Sequence, residues 1–299
     1  MRRALYGLLS NGPARSLAGA LRRRLPDAPV TRRLPTIGRF TFGLRCQPWL
    51  LGDGCFDGHR GHLAWFKRLV RPGETFWDVG ANIGYYARFV LHHCDPAKLV
   101  AVEPMEQNLR RLRRNLGPLA GDRASRVALL ELAAADAAGS ANFRVDDFAG
   151  GTGAVEGQSE RAETIGMGAR GGRVQTQRVE LARIDELVAA RGLPAPDAMK
   201  IDVEGAEGSV LAGMKGLFDA GRRPRFMIAT HGVSKVRDVL DALLPLGYAC
   251  YGETDDAPWR KLQSGDAERL KDNNLVASVN ETDVANRVEP LDLAAHPAP

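Results

Sequence analysis

The sequence predicts an α/β fold built on a doubly wound, mostly parallel sheet. From residue 73 onward, short apolar runs bounded by Gly, Pro or Asp alternate with amphipathic stretches long enough to be crossover helices. Strands are expected at about 75–79, 98–102, 127–132, 198–202, 225–230, 247–251 and 274–279. Helices at about 84–93, 105–116, 205–218 and 234–246 join them, with Leu109, Leu112 and Leu116 forming one apolar stripe on the second. The chain has 299 residues, of which 44% are hydrophobic and 26% charged, enough to bury a core of its own. That composition excludes a disordered chain, a collagen-like repeat and a small disulfide scaffold.

Ahead of the alternating body lies a basic extension, residues 1–35. Residues 1–45 hold ten arginines and one acid, Asp27, so the segment carries +9 and the remainder −4 of the total +5. A mildly acidic body has no electrostatic footprint for nucleic acid, and no such partner is expected. Leu17, Leu21 and Leu25 beside Arg22, Arg23 and Arg24 allow a short amphipathic helix, which would either cap the body or make weak contact with a membrane surface. No apolar run reaches the roughly 18 residues that cross a bilayer. Cys46, Cys55, Cys94 and Cys250 lie far apart without CxxC spacing, which suggests neither zinc nor disulfides and suits a reducing, cytoplasmic setting. The stretch Arg39–Arg45 alternates as a strand leading into a domain expected to span 36–280. Residues 281–299, poor in large apolar groups, read as a flexible tail.

In doubly wound sheets ligands bind beyond the carboxyl ends of the strands, so the residues there are the site candidates. The first strand runs through Asp78 into Gly80, Asn82 and Gly84. A pyrophosphate loop would carry glycine where Asp78 stands, and a carboxylate there repels phosphate. Asp78 suits a ligand with positive charge and donor groups, such as the amino-acid end of S-adenosylmethionine; alternatively it caps an ordinary strand-to-helix turn. Glu103, 23 residues after Gly80, stands where a carboxylate accepts from ribose hydroxyls, with helix capping as its other role.

Three separated stretches resemble the FkbM-type family of S-adenosylmethionine-dependent methyltransferases. They are Asp78 through Tyr86, Glu103-Pro104 with Leu109, Leu112 and Asn115 downstream, and Met199 through Glu207, followed by Val210 through Gly213. The run Lys200-Ile201-Asp202-Val203-Glu204-Gly205-Ala206-Glu207 is the most specific of these. The resemblance implies a Rossmann-like, seven-stranded methyltransferase sheet whose last strand is antiparallel. It also implies methyl transfer from S-adenosylmethionine to a hydroxyl of a sugar, glycolipid or polyketide-like small molecule. By position it makes Asp78, Gly80, Asn82 and Gly84 contacts of the methionine part and Glu103 the ribose ligand. Asp136, at the third strand's end, would meet adenine or simply form a turn.

Asp202, Glu204 and Glu207 follow the fourth strand, where the transferable methyl should sit. Asp202 is a catalytic candidate and Glu204 a substrate-binding one; together they could orient the sulfonium and acceptor or hold a metal, although no metal is assigned. Glu207 is equally a helix-start acid that favours the dipole. His231, at the fifth strand's end, is the candidate base for the acceptor hydroxyl. Residues 149–172, with eight glycines, read as a loop that either folds over the acceptor or is a mobile insertion. Two rival functions are a nicotinamide-dependent oxidoreductase and a non-catalytic nucleoside-binding scaffold.

Overall fold

The computed structural model describes residues 26–47, 50, 59–117, 125–146, 153–156 and 174–297. The arginine-rich helix expected within residues 1–25, Cys55, and most of the glycine-rich stretch 149–172 lie outside those residues.

The chain opens with an antiparallel hairpin, β1 (Pro29–Leu34) and β2 (Gly38–Gly43), and a helix, α1 (Arg60–Leu69). The alternating body follows: β3 (Thr75–Val79), α2 (Tyr85–His93), β4 (Lys98–Val102), α3 (Glu106–Leu116) and β5 (Val127–Leu130). A meander then supplies β6 (Ala133–Ala134), β7 (Gly139–Asp146), β8 (Gly153–Val155), β9 (Val174–Ala182) and α4 (Ile184–Arg191). The second half holds β10 (Ala198–Ile201), α5 (Glu207–Ala212), α6 (Lys215–Asp219), β11 (Arg225–Ala229) and α7 (Val233–Leu243). It closes with β12 (Ala249–Thr254), β13 (Ala257–Lys261) and β14 (Leu270–Ser278).

The central sheet runs β13-β12-β14-β11-β10-β3-β4-β5. Strands β11, β10, β3, β4 and β5 are parallel, and β14 inserts antiparallel between β11 and β12. The expected strands and the antiparallel last one are all present. An eighth, β13, was not anticipated because Pro258, Arg260 and Lys261 break its apolar pattern, which is the chemistry of an edge strand. Chain order reverses between β3 and β10, so the crevice beyond their carboxyl ends is the topological switch point.

Alternation along the strands builds a core on each face. Phe76 and Ala101 pack with Phe66, Phe89 and Leu112 on one side; Trp77, Val79, Val100, Ile201 and Ile228 pack with Val210 and Leu240 on the other. The expected 205–218 helix is two short ones, α5 and α6, separated at Gly213. A Cβ on Gly213 would lie 2.0 Å from the Ala135 carbonyl oxygen, so glycine allows the meander to sit against this break.

Two boundaries differ from expectation. Order begins before residue 36: Leu34, Ile37, Phe40 and Phe42 of the hairpin are at most 1% exposed. Asn115 accepts from Thr41 N at 2.7 Å and donates to the Thr41 and Ile83 carbonyls at 2.9 and 2.7 Å, tying hairpin, α3 and glycine loop together. Asp27 pairs with Arg111 in the same buried seam. Likewise, residues 281–297 lie against the body. Val284 is fully buried, its carbonyl accepts from the Trp259 indole at 3.0 Å, and the Leu291 carbonyl accepts from Arg60 Nε at 2.7 Å. A few anchors suffice to dock a segment whose average composition is polar. Among the described residues no helix is long and apolar enough to cross a membrane.

Candidate active site

Beyond β3 the backbone turns sharply, and the amides of Gly80 and Ala81 both donate to the Val102 carbonyl at 3.0 Å. Gly80 has φ +77°, and a Cβ on it would stand 1.9 Å from the Asp202 carbonyl oxygen. Only glycine therefore lets the ends of β3 and β10 approach this closely. Asn82 is also left-handed, at φ +52°, and its side-chain oxygen accepts from Ile83 N at 2.8 Å, which compensates the local turn.

Glu103 organises this loop from the next strand. One carboxylate oxygen accepts from Asn82 N at 2.8 Å, and the other from Met105 N at 2.9 Å and Asn108 Nδ2 at 3.2 Å. The side chain is 4% exposed. Burial pushes its pKa up to about 7, against the three donors and the more distant Lys200 charge, which pull it down.

Lys200 is the electrostatic centre of the switch point. Its ammonium donates to the Gly80 carbonyl at 2.8 Å and lies 3.1 Å from Asp78 Oδ1 and 3.5 Å from Asp202 Oδ2. Burial alone would lower its pKa, but the two carboxylates outweigh that and raise it. The ammonium also lies 5.6 Å from the centre of the Tyr86 ring. The Tyr86 hydroxyl is shared by His59 Nδ1 at 2.7 Å and His62 Nδ1 at 2.9 Å.

On the other side of Asp202 stands His231, 8% exposed. Its Nδ1 lies 2.9 Å from Glu207 Oε1, and its Nε2 lies 3.4 Å from Glu204 Oε2 and 3.6 Å from Asp202 Oδ1. Burial would depress this imidazole, yet the Glu207 hydrogen bond and the charges of Glu204, Asp202 and Glu207 hold it at about 9. Its Nδ1 is thus committed to Glu207, and its Nε2 is the ring atom that faces Asp202 and Glu204.

Some of these groups line one cavity. Following the strand order β10-β3-β4-β5, Asp202 and Glu204 with Gly80 and Asn82 form a polar, acidic end, Glu103 comes next, and Leu132 and Ala133 with Met105, Phe143 and Val155 form an apolar end. Helix α3, β6 and the meander supply the apolar walls, and β8 with Gly153 is the part of the glycine-rich stretch that reaches the cavity.

The model of the Methyltransferase FkbM domain matches residues 78–250, more than half of the chain. The chain belongs to the FkbM methyltransferase family. It is 29% identical over 153 residues to the 2-O-methyltransferase NoeI of Sinorhizobium fredii, a match covering 49% of this chain and 60% of the relative. It is also 29% identical over 173 residues to the AMB antimetabolite synthetase AmbE of Pseudomonas aeruginosa, covering 49% of this chain and 8% of that protein. The chain thus spans less than two thirds of the length of both curated relatives. Among solved structures, a methyltransferase FkbM from Methylobacillus flagellatus aligns with TM-score 0.44 and 17% identity, over 75% of this chain and 54% of that one.

In this member of the FkbM family, Gly80, Asn82, Glu103, Asp202 and Glu204 line the cavity as expected from the strand ends. Four candidates do not. His231 is not in the lining and meets it only through Asp202 and Glu204. Asp78 is 0% exposed on the opposite face of β3, paired with Lys200, because strand alternation turns it away from the cavity. Gly84, at φ +85°, begins α2; a Cβ there would meet Leu112 Cδ1 at 2.6 Å, so it serves helix packing. Asp136 accepts from Ser209 Oγ at 3.0 Å, and its carbonyl accepts from Arg183 at 2.7 Å, which makes it the turn residue of its two readings. Sequence reasoning left Lys200 without a role although it lies in the most specific motif. It left His59, His62 and Tyr86 unread because no spacing links them to β10. Glu207 is more than a helix-start acid: its fully buried carboxylate fixes His231.

Proposed function

We propose that this FkbM methyltransferase transfers a methyl group from S-adenosylmethionine to a hydroxyl oxygen of a small, sugar-like acceptor. The observation that carries the reading is the division of this cavity into an acidic end, a central glutamate and an apolar slot. That order matches the three parts of the nucleoside: a cationic amino-acid and sulfonium end, a ribose diol and an adenine ring. Asp202 and Glu204 would face the charged end, Glu103 would accept from the ribose hydroxyls, and Met105, Leu132 and Phe143 would flank the base. When bound, the cofactor supplies an electrophilic methyl on a positively charged sulfur.

Most of the acceleration in such a displacement comes from alignment. The acceptor oxygen would be the nucleophile, and the cavity's own residues would hold it in line with the methyl group and its leaving sulfur, which would keep the C–S bonding pair. The acceptor's proton would leave to water at the acidic end, where Asp202 and Glu204 line the cavity and His231 Nε2 faces them at 3.6 and 3.4 Å. Oxygen as the target is supported by the relative named a 2-O-methyltransferase.

Incubation with methyl-labelled S-adenosylmethionine and a panel of polyhydroxylated small molecules tests this reading. Label in one acceptor with equimolar release of S-adenosylhomocysteine is the expected result. Hydride transfer from a nicotinamide cofactor, with no label transferred, would replace the reading by the oxidoreductase alternative.

A further inference from the structure

We propose that Asp202, Glu204 and His231 form a divalent-cation site at the acidic end of the cavity. This deepens the methyl-transfer reading and rests on it for its role, though not for its existence. The three side chains come from two neighbouring strand ends, Asp202 and Glu204 after β10 and His231 after β11. One ligand atom from each lies within 4.8 Å of the others. Ligands about 2.1 Å from a shared ion, at angles near 100°, stand roughly 3.2 Å apart. The observed 3.4 Å between His231 Nε2 and Glu204 Oε2, and 3.6 Å between Nε2 and Asp202 Oδ1, are close to that spacing. Both are longer than a charge-assisted hydrogen bond.

A second observation separates this cluster from a chance gathering of acids. The side chain of His231 is nine-tenths buried, and its Nδ1 is committed to Glu207, which is itself fully buried. Glu207 is fixed in turn by the Gly205 amide at 3.0 Å. That chain of contacts orients Nε2 into the space between Asp202 and Glu204, as a carboxylate behind a ligating histidine does. Asp202 is held in the same manner, its Oδ2 toward Lys200 and its Oδ1 toward the cluster. Two carboxylates and one imidazole make a mixed oxygen and nitrogen donor set, which suits Mn2+ or Zn2+ better than Mg2+.

Asp202 and Glu204 line the cavity, so the remaining coordination positions open toward it. An acceptor hydroxyl could bind there, and the cation would lower its pKa so that its proton leaves to water as the new C–O bond forms. Glu207 touches no cation in this arrangement and is a positioning residue.

Titration of the metal-stripped full chain with Mn2+, followed by the electron paramagnetic resonance signal of the free ion, tests the site without any cofactor. One Mn2+ should bind per chain. Asp202→Asn and Glu204→Gln should each weaken binding at least tenfold, and Glu207→Gln by about 10–100-fold, the usual effect of losing a partner behind a ligand. Glu204 is partly exposed, so its glutamine variant is expected to fold; a wild-type circular dichroism melt checks this. No uptake of Mn2+ by the wild type, or equal uptake by all three variants, overturns the site. A parallel titration with S-adenosylhomocysteine in chelator keeps the two readings apart. Nucleoside binding without Mn2+ binding sinks the cation site alone, whereas Mn2+ binding without nucleoside binding sinks the cofactor reading and leaves the site standing.

Discussion

Replacing Lys200 with methionine is expected to cost about 3–5 kcal/mol of folding stability, the usual penalty for removing one partner of a buried ion pair. The side chain is 5% exposed and Asp78 0%, so the orphaned carboxylate would have no water to turn to. The Gly80 carbonyl would lose its donor at the same time. Methionine keeps the length and apolar stem of lysine, which confines the change to the charge. Urea unfolding should show a lower midpoint with an unchanged slope. Adding Asp78→Asn should recover much of the loss, because the charge left behind is then removed. A single variant within 0.5 kcal/mol of wild type would mean that the pair does not hold the switch point together.

Glu103→Ala should weaken S-adenosylhomocysteine binding about a hundredfold, because hydrogen bonds from ribose hydroxyls to a charged carboxylate contribute roughly 1.5–3 kcal/mol each. Alanine also frees the amides of Asn82 and Met105, which accounts for part of that loss. Glu103→Gln isolates the charge, and about a tenfold loss is expected. The wild-type affinity should depend on pH in a defined direction. Glu103 sits at about 7, and only its ionised form accepts from both hydroxyls, so affinity should rise between pH 6 and 8 and then level off. The glutamine variant should lack that rise. Stability runs the other way: a carboxylate whose folded pKa exceeds its unfolded value holds its proton longer in the native chain, so stability falls as pH climbs from about 4.5 to about 7. Calorimetric titrations across this range check both signs, and a flat wild-type profile contradicts the ribose role.

The parallel strands were legible because each is a short apolar run that ends in glycine or an acid. Glu103 was legible from its offset after Gly80, since strand, helix and strand fix how far apart those residues fall. Asp78 was misread because sequence order reveals a strand's end but not the face on which its last acid lies. Its partner, Lys200, is on a strand far along the chain, and only the sheet order brings them side by side. His231 was placed correctly at a strand end, but its charge state depends on Glu207 two dozen residues earlier. The hairpin was half hidden: Leu34, Ile37, Phe40 and Phe42 are interrupted by Pro35, Thr36, Gly38 and Arg39, and Thr36, Gly38 and Thr41 are buried beside them, which masks the alternation. In the meander sheet the run Val174–Val179 reads as strand-like and falls within β9, whereas β6 with two residues and β8 with three are too short to stand out.

The cavity's acidic and apolar ends discriminate between two nucleosides. On the proposed reading, S-adenosylmethionine would bring a cation to Asp202 and Glu204, whereas a dinucleotide would bring a pyrophosphate to the same carboxylates, where Coulomb repulsion opposes it. Calorimetric titration of the wild-type protein with S-adenosylmethionine and, separately, with NAD is therefore the most direct measurement. Saturable binding of one S-adenosylmethionine per chain, with no heat from NAD at the same concentrations, is the predicted result. Tight NAD binding, or no binding of S-adenosylmethionine by a folded protein, would contradict it.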